Sequence, residues 1–147
     1  MAKEIERKFL VKNSSFLHLA ISSSHIEQGY LSRRTDATIR VRLRDDRAYL
    51  TVKSRTVGMT RDEWEYEIPA DDARAMLKKC AQGNVIDKTR HIVPFEGRIW
   101  EVDVFHGDHE GLVTAEVELD SEGSEITLPP FVGEEVTGDA RYYNSNL

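Results

Sequence analysis

The chain has almost no cysteine, no extended apolar run and no surplus of positive charge, and each lack removes a class of protein. The lone thiol, Cys80, cannot close an internal disulfide, and no cysteine or histidine stands near it at metal-ligand spacing. A reducing cytoplasm is therefore the expected compartment, with Cys80 a filler at a helix end. No run approaches the ~18 apolar residues that a membrane-crossing helix needs. The opening MAKEIERKFLV alternates charge with hydrophobe, where an export signal would follow a basic stretch with an apolar one. No membrane partner is expected. The net charge of −6 is wrong for broad nucleic-acid binding, which requires a basic surface that displaces counterions from many phosphates. Internal repeats and low-complexity tracts are missing too, apart from Ser22-Ser23-Ser24.

What is present suits one domain spanning 1–147, because 147 residues with 39% apolar content are enough for a core. Most of the chain reads with a period of two, broken by turn residues at short intervals, which is the mark of an all-β sheet that closes or pairs. Strands are expected over about 3–11, 26–33, 38–45, 47–54, 61–69, 84–94, 97–105 and 113–120. Asp45-Asp46-Arg47 and Glu96-Gly97 predict tight hairpin turns, and Gly107 through Gly111 a longer one. Sequential antiparallel pairing follows. The strongest helix signal runs from Asp71-Asp72 to about Ala81, with Asp71 as the expected cap. Shorter helical turns are expected over 14–20, over 121–126 and near the end of the chain.

Residues i, i+2 and i+4 of a strand share a face, so each run divides into two stripes. Glu4, Glu6 and Lys8 oppose Ile5 and Phe9, and Arg40, Arg42 and Arg44 oppose Ile39, Val41 and Leu43. Thr51, Lys53 and Arg55 share a face, as do Glu63, Glu65 and Glu67, Lys88 and Arg90, Glu101 and Asp103, and Glu116 and Glu118. An ordinary sheet would turn such stripes to water. Here they segregate by sign: acidic on the first, fifth, seventh and eighth strands, basic on the third, fourth and sixth. Curling the charged face inward would gather them around a lumen, and a barrel of about eight strands can hold a small ligand. Buried charge is tolerable only when paired or engaged, so this interior calls for an anion and metal ions. The outward apolar stripes need cover from helices or a second subunit, and a homodimer is expected.

Glu4-Ile5-Glu6-Arg7-Lys8 resembles the E-x-E-x-K signature of the CYTH superfamily, the triphosphate tunnel metalloenzymes. It is joined in order by Arg40-Val41-Arg42, Thr51-Val52-Lys53, Arg61-Asp62-Glu63-Trp64-Glu65, Lys88-Thr89-Arg90, Glu101-Val102-Asp103 and Glu116-Val117-Glu118. Gly133-Glu134-Glu135-Val136-Thr137 and Asp139-Ala140-Arg141-Tyr142 look like the end of short bacterial members, so the likeness covers nearly the whole chain. The resemblance implies a mainly β fold, an eight-stranded antiparallel closed tunnel with a charged lumen and a few flanking helices. It implies a tunnel open at both ends that binds a linear triphosphate with Mg²⁺ or Mn²⁺.

Phosphoanhydride hydrolysis needs charge neutralisation on the phosphate oxygens and a water held in line. Lys8, Arg40, Arg42, Lys53, Lys88 and Arg90 are the expected phosphate ligands, with Arg141 closing one mouth. Hard divalent ions take carboxylate oxygens, which makes Glu4, Glu6, Glu116, Glu118 and Asp103 the expected metal ligands. Glu63 and Glu65 are expected to orient the arginines. Lys88, if desolvation lowers its pKa, is the expected group for orienting or deprotonating the attacking water, with Tyr30 beside it. The expected reaction converts inorganic tripolyphosphate to pyrophosphate and phosphate. A class IV-type adenylyl cyclase, a thiamine triphosphatase and a noncatalytic polyphosphate binder remain alternatives on the same tunnel.

Overall fold

The computed structural model describes residues 2–147. Among the described residues there are nine strands: β1 (Ala2–Val11), β2 (Ser22–Arg34), β3 (Ala37–Arg44), β4 (Arg47–Ser54), β5 (Thr60–Ile68), β6 (Gln82–Phe95), β7 (Arg98–Phe105), β8 (Val113–Glu118) and β9 (Val132–Glu135). Their order in the sheet is β5-β4-β3-β2-β6-β7-β8-β1-β9, and pairing of β5 with β1 closes the first eight into an antiparallel barrel. β1 holds β8 through Glu6↔Glu118 and Lys8↔Glu116. It also pairs with β5 over Ala2–Ile5 and with β9 over Phe9–Val11. The eight expected strands are all there, and β9 is an addition that period-two reading over four residues does not reveal.

Two-residue turns set the register of the long hairpins. Arg44 pairs with Arg47 and Phe95 with Arg98, leaving Asp45-Asp46 and Glu96-Gly97 as the loops. Glu96 and Gly97 both take positive φ, 48° and 75°, the backbone whose twist matches the strands that it joins.

The apolar faces point outward and are covered by other parts of the chain. On the β1, β6, β7 and β8 wall, Phe9, Val93, Trp100, Val102, Ala115 and Val117 pack under Phe16 of α1 (Phe16–Leu19) and under Leu119, Phe131 and Val132. On the β3 and β4 wall, Val41, Leu43 and Ala48 pack under Ala73, Met76 and Leu77 of α2 (Ala70–Lys79). β2 runs so close to α2 that a Cβ on Gly29 would stand 3.0 Å from both Leu77 Cδ2 and Ala81 Cβ, which only glycine avoids. Asp71 is not the cap of α2. The helix begins one residue earlier after Pro69, with no side-chain cap, and Asp71 bonds Arg74 at 3.0 Å inside the first turn. The expected helix over 121–126 is a bend and turn, whereas two short 3₁₀ turns, Ala140–Tyr142 and Asn144–Asn146, do form near the end of the chain.

Because the outer wall carries the core, deletions there should act on stability. Phe131 is fully buried, with ring centroids 5.9 Å from Phe16 and 6.4 Å from Trp100. Phe131→Ala is expected to cost about 3–5 kcal/mol in denaturant unfolding. A loss below roughly 1 kcal/mol would mean that this cover is dispensable.

Candidate active site

Closure of the barrel arranges the stripes by sign. Around the ring, β4, β3, β2 and β6 follow one another, with basic rows on β4, β3 and β6 and the neutral Gln28 and Tyr30 of β2 between them, while β7, β8, β1 and β5 follow one another and carry the acidic rows. The two halves face each other across a cavity of about 290 Å³. Its wall includes Lys8, Arg40, Arg42, Lys53 and Arg90 together with Glu4, Glu6, Glu63, Glu65, Glu116 and Glu118, and Tyr30 also lines it. The rows expected to converge therefore do so.

Ion pairs form mainly at the two seams. Between β4 and the β5 and β1 pair, Lys53 Nζ lies 3.0 Å from Glu4 and 3.6 Å from Glu63, and Arg61 Nε lies 3.3 Å from Glu4. Between β6 and β7, Arg90 donates to both oxygens of Asp103 at 2.8 and 2.9 Å and to Glu101 at 3.1 Å. Lys88 Nζ sits 2.7 Å from Asp103 Oδ2. Lys8, a cation within the acidic half, pairs with Glu116 at 3.3 Å.

Away from the seams, charge is left without its opposite. The side-chain partner of Arg42 is the neutral Gln28, reached at 2.8 Å, and Arg40 Nε is buried with no hydrogen-bond partner among the described residues, although its Nη2 donates to Thr51 at 3.3 Å and stands 3.7 Å from the half-exposed Glu65. Burial, aided by Arg40 and Arg90, pushes the Arg42 guanidinium down to about 9. On the opposite wall, burial and the adjacent Glu116 and Glu4 hold the Glu6 carboxyl well above its ordinary value. Burial and Glu4 raise Glu118 as well. Burial also opposes ionisation of Glu4 and Glu116, but Lys53 and Arg61 keep Glu4 far below the usual range and Lys8 draws Glu116 to about 2. Arg42 thus lacks an anionic partner, and Glu6 stands among carboxylates.

The donor set suits a divalent metal in this sense. Glu4, Glu6, Glu116 and Glu118 are hard oxygen donors, crowded enough that Glu116 and Glu4 add to burial in raising Glu6 and Glu4 does so for Glu118, and a cation relieves that repulsion. Among the described residues, no three histidine, cysteine or carboxylate groups already form a closed cage. A magnesium-like ion needs none, because it takes one or two carboxylates and completes its shell with substrate phosphates and water.

Two expected site residues stand behind the wall. Asp103 has both oxygens engaged by Arg90 and Lys88 and is 1% exposed, so here it is their counter-ion. Lys88 is fully buried, donates to Asn144 Oδ1 at 3.1 Å and lies over the Phe105 ring. Burial, with Arg90 and Arg42 reinforcing it against Asp103, pushes its amine down to about 7. Arg141 is exposed beside Asp139 at 2.7 Å and is not part of the cavity wall. Glu65 approaches Arg40 at 3.7 Å, whereas Glu63 serves Lys53. Arg61 and Gln28 also belong to the site, and simple extension of the stripes Glu63-Glu65 and Ile26-Tyr30 reaches them. Tyr143, Asn144 and Ser145 line the cavity from an irregular segment that carries no periodic signal. That segment lies at the barrel end where β6 begins and β7 ends, with Asn144 bonded by Lys88, Ser145 by Arg33, and Leu147 packed against Ile86 and Phe105.

The profile of the CYTH domain matches residues 2–143. An inorganic triphosphatase of Acetivibrio thermocellus is 46% identical over 147 residues, spanning 100% of this chain and 94% of that protein. An inorganic triphosphatase of Nitrosomonas europaea is 37% identical over 148 residues, spanning 98% and 95%. A solved structure of an inorganic triphosphatase aligns with a TM-score of 0.70 and 34% identity over 97% of this chain and 95% of that one.

Removing the buried counter-ion tests its assignment. Asp103→Asn leaves an ammonium and a guanidinium uncompensated and is expected to cost roughly 3–5 kcal/mol at neutral pH with no divalent ion present. A loss that appears only when Mg²⁺ is added would instead mark Asp103 as a metal ligand.

Proposed function

The chain belongs to the CYTH domain family, and from that premise we propose that it is a divalent-metal-dependent hydrolase of linear triphosphate, acting on inorganic tripolyphosphate to give pyrophosphate and phosphate. The observation that carries the reading is one cavity in which Arg42 on the basic side meets only the neutral Gln28 while Glu6 on the acidic side is crowded by Glu116 and Glu4. A triphosphate with Mg²⁺ or Mn²⁺ supplies an anion for the first and a cation for the second.

In this reading Arg40, Arg42, Lys53, Lys8 and Arg90 grip the phosphate oxygens, the arginines through forked bonds and the lysines as compact charges. Glu4, Glu6, Glu116 and Glu118 hold the metal. An ion held there would supply charge neutralisation on the phosphate oxygens and would favour loss of a proton from water. Water attacks the terminal phosphorus, the bridging P–O bond breaks, and its electrons leave with the pyrophosphate. Lys88, with a proton that it readily gives up near neutrality, orients the water or accepts its proton. It stands behind Asn144 and reaches the cavity through that amide or past it. Tyr30, which lines the cavity, assists.

Among the described residues no helix is long and apolar enough to cross a membrane. The proposal includes a cytoplasmic setting, for which the unpaired Cys80 speaks, and a homodimer whose contact covers outward side chains such as Ile21 and Ile99.

Phosphate release from tripolyphosphate is expected to require Mg²⁺ or Mn²⁺ and to stop with EDTA. Arg42→Ala should lower kcat by roughly 10²–10³, the usual effect of losing one preorganised charge. Tight tripolyphosphate binding without release under either metal would favour a binder, and cyclic AMP from ATP with Mn²⁺ would favour a cyclase. A Lys88 that works as a neutral amine should give a rate that climbs as pH rises through about 7 and levels above it, because protonation below that pH removes the base. Lys88→Ala should erase the climb. An unchanged profile and a near-normal rate would take Lys88 out of the chemical step.

A further inference from the structure

The charged rows end at one level of the barrel. Along β6 the inward residues run Arg90, Lys88 and then Ile86. Along β7 they run Glu101, Asp103 and then Phe105, which pairs with Lys88 across the strands. On β2, Gln28, opposite Ile86, gives way to Tyr30. Tyr30, Ile86 and Phe105 form a buried cluster against which Leu112 and Leu147 pack.

The segment that brings in Leu147 lies directly over this level. Lys8 Nζ donates to Tyr142 O at 2.9 Å, Lys88 Nζ to Asn144 Oδ1 at 3.1 Å, and Asn146 Nδ2 to Ala140 O at 2.8 Å. Arg33, farther along β2, has its guanidinium committed to the carbonyls of Gln82, Asn84 and Ser145. Tyr143, Asn144 and Ser145, the faces that this segment shows the cavity, bring no formal charge. A phosphate pushed past this level would lose its water against an apolar cluster whose neighbouring cations, Lys8, Lys88 and Arg33, are already engaged by Glu116, Asp103 and backbone carbonyls, and such burial is heavily penalised.

We infer that Tyr142–Leu147 is a floor that turns the tunnel into a blind cup, so that the site accepts only a polyphosphate chain presenting an unesterified terminal phosphate. A chain esterified at one end enters by its free end with its substituent outside. A chain esterified at both ends must press a bulky group onto the floor. This deepens the triphosphatase reading and rests on the same phosphate-binding cavity.

The test compares tripolyphosphate, ATP and a dinucleoside triphosphate with the full chain, with a chain ending at Tyr142, and with Leu147→Asp, which unlatches the segment without removing Asn144. Each ligand is followed by turnover with Mg²⁺ and by equilibrium binding in EDTA. The full chain is expected to discriminate against the doubly esterified ligand relative to ATP by about 100-fold or more, and both variants should reduce that factor by about tenfold. The floor is refuted if the full chain treats ATP and the dinucleoside triphosphate alike. It is equally refuted if either variant, still melting cooperatively, keeps the discrimination of the full chain. A full chain that hydrolyses none of the three would overturn the triphosphatase reading, while the EDTA binding series would still decide the floor.

Discussion

Charge held away from water needs an opposite within reach, and the barrel satisfies this need only in part. At the seams between its basic and acidic halves, Lys53 meets Glu4 and Glu63, and Arg90 and Lys88 meet Asp103. In the middle of each half the need goes unmet, with Arg42 facing Gln28 and Glu6 facing other carboxylates. Like charges kept this close raise the energy of the site. A polyanion on one side and a divalent cation on the other lower it, so the folded chain without ligand is already shaped, electrostatically, for a metal–polyphosphate pair.

Such an interior is affordable because the stabilising apolar contacts lie elsewhere. Trp100, Phe9 and Phe131 pack on the outside of one wall, and Val41, Ala48 and Ala73 on the outside of another. The usual division of a small barrel, apolar within and polar without, is reversed, and α1, α2 and the 119–132 segment supply the cover. Asp103 joins the two economies, since its fixed position aligns Arg90 at the cavity and holds Lys88 behind it. Burial of that amine against Phe105 lowers its hold on a proton.

Much of this was legible in the residue pattern. Strict alternation located eight strands, and segregation of sign among them announced a lumen, because a solvated face has no reason to sort Glu from Arg strand by strand. What alternation cannot supply is depth. Asp103 shares its stripe with Glu101, yet pairing with Arg90 and Lys88 draws it behind the wall while Glu101 stays on it. Asp71 looked like a cap because caps are read from local sequence, but Pro69 fixes where α2 begins. Asn144 and the floor were invisible, since their contacts with Lys88, Lys8 and Arg33 bridge distant parts of the chain through irregular backbone. Arg141 was expected at the mouth, and its pairing with Asp139 leaves it outside.

The most direct measurement is diffraction from crystals grown with Mn²⁺ and tripolyphosphate, with manganese located by its anomalous signal. The manganese peak is expected between the Glu4, Glu6, Glu116 and Glu118 carboxylates and the phosphate chain, with phosphate oxygens on Arg40, Arg42 and Lys8. Phosphate on the outer surface, or manganese bound away from those carboxylates while Arg42 stays turned to Gln28 alone, would contradict the division of the cavity into an anion-seeking and a cation-seeking wall.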